Sequence, residues 1–326
     1  MTLCHKLYLY LEMIISQIKW SPTEYFEIFG FQVYIYSLMF ILAFLLGYNL
    51  VKSFFIKEKV DEKYLDPLLI YLVLSVFLGA RLGEVIFYQW GYYQNHLIEI
   101  LLPIQESPNS SILGLIDGYK FTGFRGLASH GAAIGMTIGL LLFKRKYNFK
   151  SLLWIFDRLT IPTAIGGAFV RIGNFFNSEI LGKYTDNDWG VIFENRGEVL
   201  PRHPAQLYES FGYIILFIIL YILYHRSTIR NNEGRLFGYF LIGLFSIRFI
   251  VEFVKESQGG IETFLPGLST GQWLSIPFIL IGIIFLFISK KRRLTNFLFI
   301  RVEHNWSSYK YRRVSTNHYS YDKSKH

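Results

Sequence analysis

Three stretches of this sequence are nearly free of charge: Phe40–Leu46, Tyr213–Leu223 and Ile276–Ile288. With their flanks they approach the roughly 20 residues that a helix needs to cross about 30 Å of hydrocarbon. Inside a bilayer each backbone N–H and C=O must be paired within the segment, so such runs are read as helices. Only 17% of the 326 residues are charged, where a soluble domain carries about 25%. A soluble helical protein with buried helices is the weaker reading. The expected fold is an all-α integral membrane protein with about seven transmembrane helices and an outer-side head region.

The spans fall near residues 32–51, 68–90, 127–143, 152–170, 207–225, 236–254 and 272–289. Asp157, Arg158 and Pro162 interrupt the fourth, which reads as a short or broken helix. Leu7 to Ile18 is apolar but too short to span. It has neither the basic start nor the small-residue cleavage site of a signal peptide, and reads as a helix lying on the membrane. The partition expected is an interfacial segment at 1–31, a seven-span membrane domain at 32–289 and a basic tail at 290–326.

The net charge is +9, which raises the question of nucleic acid. Where the charge lies argues against that partner. Loops 52–67, 144–151 and 226–235 and the tail hold 21 of the Lys and Arg residues, whereas the opposite loops hold 9, Lys255 among them. The positive-inside rule then places the N-terminus outside and the C-terminus in the cytoplasm, which requires an odd number of spans. The tail reads as a stop-transfer cluster or as a docking element for anionic lipid head groups. The two long loops, 91–126 and 171–206, fall on the outer side. A single cysteine, Cys4, allows no disulfide within the chain and no Cys–His metal pattern.

Ionisable groups within apolar helices are costly, so each is a candidate for function. Span two holds Gly79-Ala80-Arg81-Leu82-Gly83-Glu84, where Arg81 and Glu84 share a helix face and can pair, as structure or as function. The glycines permit close helix approach. Span three opens with Ser129-His130-Gly131. His130 reads as a proton acceptor near neutral pH or as a hydrogen-bonded structural residue. After span four comes Arg171-Ile172-Gly173-Asn174-Phe175-Phe176-Asn177-Ser178-Glu179-Ile180-Leu181-Gly182. Its arginine offers a planar fork suited to phosphate, its amides donate or accept, and Glu179 is placed to orient the arginine or take a proton. Span five opens at His203-Pro204-Ala205-Gln206-Leu207-Tyr208-Glu209, with Glu209 expected in the first turn, where the helix dipole favours an anion. Late in span six, Arg248 stands one turn before Glu252. A second arginine facing Arg171 would complete a two-pronged anion clamp. Leu268 to Ser275 opens span seven. There is no HExxH, GxSxG or P-loop motif. Arginines, amides and one histidine suit binding a phosphate-bearing lipid and moving a proton, with no cofactor and no metal.

Taken in order, these motifs resemble the prolipoprotein diacylglyceryl transferase family of bacterial inner membranes. The resemblance runs from about residue 34 to 289, with RIGNFFNSEILG as its signature. It implies seven spans, an external N-terminus, an outer-side head and an active site toward the outer face of the inner membrane. The family transfers the diacylglyceryl group of phosphatidylglycerol to the lipobox cysteine of a prolipoprotein signal peptide, forming a thioether and releasing glycerol phosphate. Carried over residue by residue, the resemblance assigns catalysis to His130, Arg171 and Arg248. It assigns substrate binding to Arg171, Asn174, Glu179, Gly182, Tyr36 and Arg248, with Arg81, Glu84, Glu209 and Glu252 in support. This chain departs from the family pattern at Ala132, where a second glycine is usual, at Val170, where glycine precedes the signature arginine, and at Ser37. Rival readings are another phospholipid head-group transferase or hydrolase, or a lipid transporter. The last predicts repeated halves with broken helices, and the sequence shows no such repeat.

Overall fold

A computed structural model of the chain describes residues 18–28, 31–112, 116–122, 126, 128–186, 189–256 and 267–289. In chain order the main elements are β1 (Ile18–Trp20), β2 (Tyr25–Ile28), β3 (Phe31–Tyr34), α1 (Ile35–Lys57), α2 (Leu65–Phe87), β4 (Ile104–Ile112), β5 (Ile116–Phe121), α3 (Ser129–Tyr147), α4 (Leu152–Phe176), β6 (Val191–Phe193), α5 (Ala205–His225), α6 (Arg235–Val251) and α7 (Thr270–Ser289). The fold is mostly helical. Among the described residues, five helical stretches are long and apolar enough to cross a membrane: α1, Glu62–Phe87 ending in α2, α4, α5 and α7. The other two long helices coincide with expected spans but fall short of that standard. α6 has 17 residues, about 25 Å at 1.5 Å per residue. α3 ends in Lys144, Arg145 and Lys146. Three two-stranded ribbons, β1–β6, β2–β3 and β4–β5, add strand structure to a chain expected to be all helix. The expected interfacial helix lies outside the described residues except for Ile18, which opens β1, and the basic tail lies outside them altogether.

The chain forms two compact units, one of Tyr48–Ile155 and one of Met1–Gly47 with Phe156–His326. In the first, α2 and α3 meet through glycines. A methyl group added at Gly79 or Gly131 would collide with the backbone of the facing helix, so only hydrogen fits there. At the other end of this pair Phe55, Phe143, Phe149 and Trp154 form a ring cluster. The Trp154 indole donates to Glu58 at 3.0 Å.

In the second unit α4 runs unbroken for 25 residues through Pro162, where a short or broken helix was expected. Threonine hydroxyls bond the carbonyls on either side of the one that the proline frees: Thr160 donates to Asp157 O (2.8 Å) and Thr163 to Leu159 O (2.6 Å). Gly47 of α1 leaves room for the proline ring. The polar residues that seemed to interrupt the span tie it to its neighbour. Fully buried Asp157 accepts from Gly234 N and Phe237 N, both at 2.8 Å, and so caps the start of α6 from another helix. Ser269 and Gln272 form a reciprocal capping box at the start of α7.

Candidate active site

The signature segment begins inside α4 and ends it. Asn177 N bonds to Gly173 O, Ser178 N to Phe175 O and Glu179 N to Asn174 O, so the last turn tightens and stops. Ser178 and Ile180 then adopt left-handed backbone at φ 51° and 57°. For non-glycine residues, and a β-branched one above all, that conformation costs on the order of 1–3 kcal/mol. It persists because side chains from elsewhere hold the carbonyls. Arg196 Nε donates to Ser178 O (2.9 Å), Arg196 Nη2 to Asn177 O (3.3 Å) and Gln206 Nε2 to Glu179 O (2.5 Å).

Gly182 closes the segment by close approach. Its N–H donates to His203 O at 3.1 Å, and it bridges Lys255 in antiparallel fashion. A side chain at Gly182 would strike His203 and the Val254 carbonyl. Lys183 N to Val254 O (2.8 Å) and Glu256 N to Leu181 O (3.1 Å) complete the weave. The signature is thereby fastened both to the chain before α5 and to the chain after α6. A pocket of about 440 Å³ opens beside it, with Glu179, Arg196, Glu198 and Glu256 in its wall.

The weave gathers a cluster of charges. Arg171 Nε lies 2.5 Å from Glu209 Oε2, and Arg171 Nη1 donates to Asn174 Oδ1 at 3.4 Å. Tyr213 also hydrogen-bonds the Arg171 side chain. Asn174 and Asn177 donate to the two oxygens of Glu179, at 3.1 and 3.3 Å, and the Tyr36 hydroxyl hydrogen-bonds the Asn174 side chain. Glu209 is 1% exposed and takes a second cation: Lys255 Nζ stands 3.7 Å from its Oε1. The same ammonium stands 3.7 Å from Glu252 Oε2. Burial pulls the Lys255 pKa below the ordinary lysine value. Arg171 and Arg248 push the same way, while Glu209 and Glu252 oppose them. Arg248 acts electrostatically on both Tyr213 and Lys255, yet its Nε has no hydrogen-bond partner among the described residues. Arg171, Arg248 and Lys255 stand with three carboxylates, Glu209, Glu252 and Glu179, so the cluster is close to neutral. Its two guanidinium forks suit a phosphate group such as a phosphodiester.

Two expectations are corrected here. Glu209 is not in the first turn of α5, which begins at Ala205 and has no acid there; it stands a turn further in and serves Arg171 and Lys255 instead of the helix dipole. Glu179 does not hold Arg171 directly, because the two asparagines take up its carboxylate and Glu209 takes the arginine.

Residues 23–288 match the sequence model of the family described as prolipoprotein diacylglyceryl transferase. The chain is 40% identical over 283 residues to the phosphatidylglycerol–prolipoprotein diacylglyceryl transferase of Bacteroides fragilis, covering 86% of this chain and 98% of the relative. It is 42% identical over 263 residues to that of Tolumonas auensis, covering 80% and 93%. With that of Chloroherpeton thalassium it shares 37% over 278 residues, covering 85% and 96%. The chain belongs to the prolipoprotein diacylglyceryl transferase family.

Within this transferase family member the residues singled out from sequence separate into two groups. Tyr36, Arg171, Asn174, Glu179, Gly182, Glu209, Arg248 and Glu252 belong to the unit that holds the signature. His130, Arg81 and Glu84 belong to Tyr48–Ile155. His130 is exposed near the start of α3. Arg81 does not pair with Glu84 as its spacing allowed. It donates to Glu99 O (2.7 Å), Ile100 O (2.9 Å) and the Tyr93 hydroxyl (3.0 Å), and its guanidinium packs over the Tyr93 ring. Glu84 accepts from Gln89 at 2.9 Å. Sequence reasoning missed Lys255, Tyr213 and Arg196. Lys255 had a signal, an acid three residues before it, but it was counted only as a loop charge.

Proposed function

We propose that the chain transfers the diacylglyceryl group of phosphatidylglycerol to the lipobox cysteine of prolipoproteins, the first step of lipoprotein maturation. The observation that carries this reading is the buried charge cluster around the signature, in which Arg171 is braced and Arg248 keeps an unspent guanidinium nitrogen. The incoming thiol loses its proton, and the thiolate attacks the glyceryl carbon that bears the phosphate ester. A carbon–sulfur bond forms and the carbon–oxygen bond breaks. Glycerol phosphate leaves with the bonding electron pair, and its charge rises from one negative to two. Two guanidinium groups at that phosphate stabilise the transition state more than the bound lipid, which is what catalysis requires. The proton is assigned to His130 by family resemblance. Asn174, Glu179, Gly182 and Tyr36 shape the binding site, while Glu209 and Glu252 support the cations.

The same reading takes 32–289 as a membrane domain of seven spans, α3 and α6 included, with 1–31 on the membrane surface and 290–326 in the cytoplasm. It places the N-terminus and the active site on the outer side of the bacterial inner membrane. The asymmetry of Lys and Arg between loops supports that orientation. The substrates imply lateral access from the bilayer, since one is a lipid and the other carries its cysteine at the end of an apolar signal helix.

The test is a mass measurement on a lipobox peptide incubated with phosphatidylglycerol and the purified full chain. A diacylglyceryl increment on the cysteine is the expected result. Glycerol phosphate released with no increment on the peptide would favour a hydrolase and overturn the transfer reading.

A further inference from the structure

We propose that Lys255 is a positioning residue that keeps Arg248 available to the lipid phosphate by holding Glu252 away from it. The proposal rests on the phosphate-binding reading above. Arginine and glutamate four residues apart on a helix are neighbours that ordinarily pair. Arg248 and Glu252 have that spacing, yet among the described residues the carboxylate's ion pair is with Lys255, at 3.7 Å, and Arg248 Nε has no partner. Lys255 is well placed to enforce this. α6 stops at Val251, and the Gly182 bridge fixes the backbone of Lys255 in the signature weave. The ammonium stands at the same 3.7 Å from Glu209 Oε1, so it lies between the two carboxylates within ion-pair range without hydrogen-bonding either, and Lys255 is 6% exposed. Gly271 lies directly against the Glu252 carboxylate, so the acid has little freedom to turn elsewhere.

Removing the charge of Lys255 leaves a nearly buried carboxylate without its cation. A buried acid in that state captures the nearest unspent donor, since a lone charge in such surroundings is costly. That donor is Arg248, one turn back. The phosphate would then lose one of its two prongs although neither arginine had been touched. Lys255 as a direct phosphate ligand, or as a merely structural residue, leads to a different result once Glu252 is also neutralised.

The experiment titrates phosphatidylglycerol in nanodiscs against the full chain and five variants, with peptide lipidation measured in parallel. Lys255→Met should weaken phosphatidylglycerol binding by about tenfold or more, the loss of a charge-assisted contact. Lys255→Arg should bind like the wild type. Lys255→Met with Glu252→Gln should recover most of the affinity, because Arg248 is released again, and Lys255→Met with Arg248→Ala should be no weaker than Arg248→Ala alone. In the lipidation assay the single variant should lower kcat as well as raise KM, because a prong lost from the phosphate is missed most in the transition state, and both should recover in the Glu252→Gln double variant. Unchanged affinity in Lys255→Met, or a Glu252→Gln double variant as weak as the single one, would overturn the proposal. A wild type that binds the lipid but leaves the peptide unmodified would defeat the transfer reading alone, and the binding series would still decide the role of Lys255.

Discussion

Two arginines in apolar helices, Arg81 and Arg248, carry the same charge and meet opposite fates. Arg81 is 4% exposed and spends its donors on two backbone carbonyls, a phenol and an aromatic face. Those contacts pin the segment Tyr93–Ile100 against α2. Arg248 has an acid within one turn and still leaves Nε unspent. A committed guanidinium is scaffold, because a second ligand would have to break bonds already made. An uncommitted one is costly to the fold, and under the proposed function the lipid phosphate is the partner it awaits. Both were functional candidates by sequence, and their partners tell them apart.

The largest expected effect follows from removing the braced prong. Arg171→Ala should lower lipidation by at least about a hundredfold, the scale seen when one preorganised donor to a developing anion is lost. Thermal unfolding of that variant should remain cooperative, and near-normal activity would sink the two-prong account. Gly182→Ala comes next. The methyl group collides with the chain that carries His203 and Val254, so Lys255 shifts and activity should drop about tenfold. Gly182→Ala with full activity would show that the weave tolerates more play than the contacts suggest.

Smaller effects probe the scaffold side. Arg81→Met should cost on the order of 1–3 kcal/mol of stability by stranding buried acceptors, while the folded fraction keeps its activity. Asp157→Ala should cost about 1–2 kcal/mol by uncapping α6. Both can be read from thermal unfolding. The smallest effect is on pH dependence. Lys255 faces Glu209 from α5, Glu252 and Arg248 from α6 and its end, and Arg171 from α4. Its pKa lies below the usual lysine value, so its charge is lost as pH rises through that lowered value. Lipid affinity should fall on the alkaline side, and Lys255→Arg should move that fall to higher pH. An alkaline limb that stays in place in Lys255→Arg would assign it to another group.

What the sequence showed and hid follows from the reach of each interaction. Apolar runs set the helices, because bilayer thickness and backbone satisfaction are local constraints. The close-approach glycines of α2 and the start of α7 within Leu268–Ser275 were legible for the same reason. The signature Arg171–Gly182 stood out by composition. Its partners did not: Glu209 is 38 residues beyond Arg171, and helix spacing cannot see that far. The same blindness suggested an Arg81–Glu84 pair, where the segment 93–100 supplies better acceptors. Pro162 looked like a break, yet the helix runs through it from Leu152 to Phe176. The β4–β5 ribbon was hidden by composition, since β4 reads IQESPNSSI and its glutamate, proline and asparagine are residues depleted in strands.

The contrast between the two arginines is tested most directly by the lipobox mass assay run on Arg248→Ala and Arg81→Met side by side, each normalised to folded protein. The expected result is a loss of about a hundredfold or more in Arg248→Ala and near-normal transfer in folded Arg81→Met. Equal losses in the two, or transfer that survives in Arg248→Ala, would contradict it.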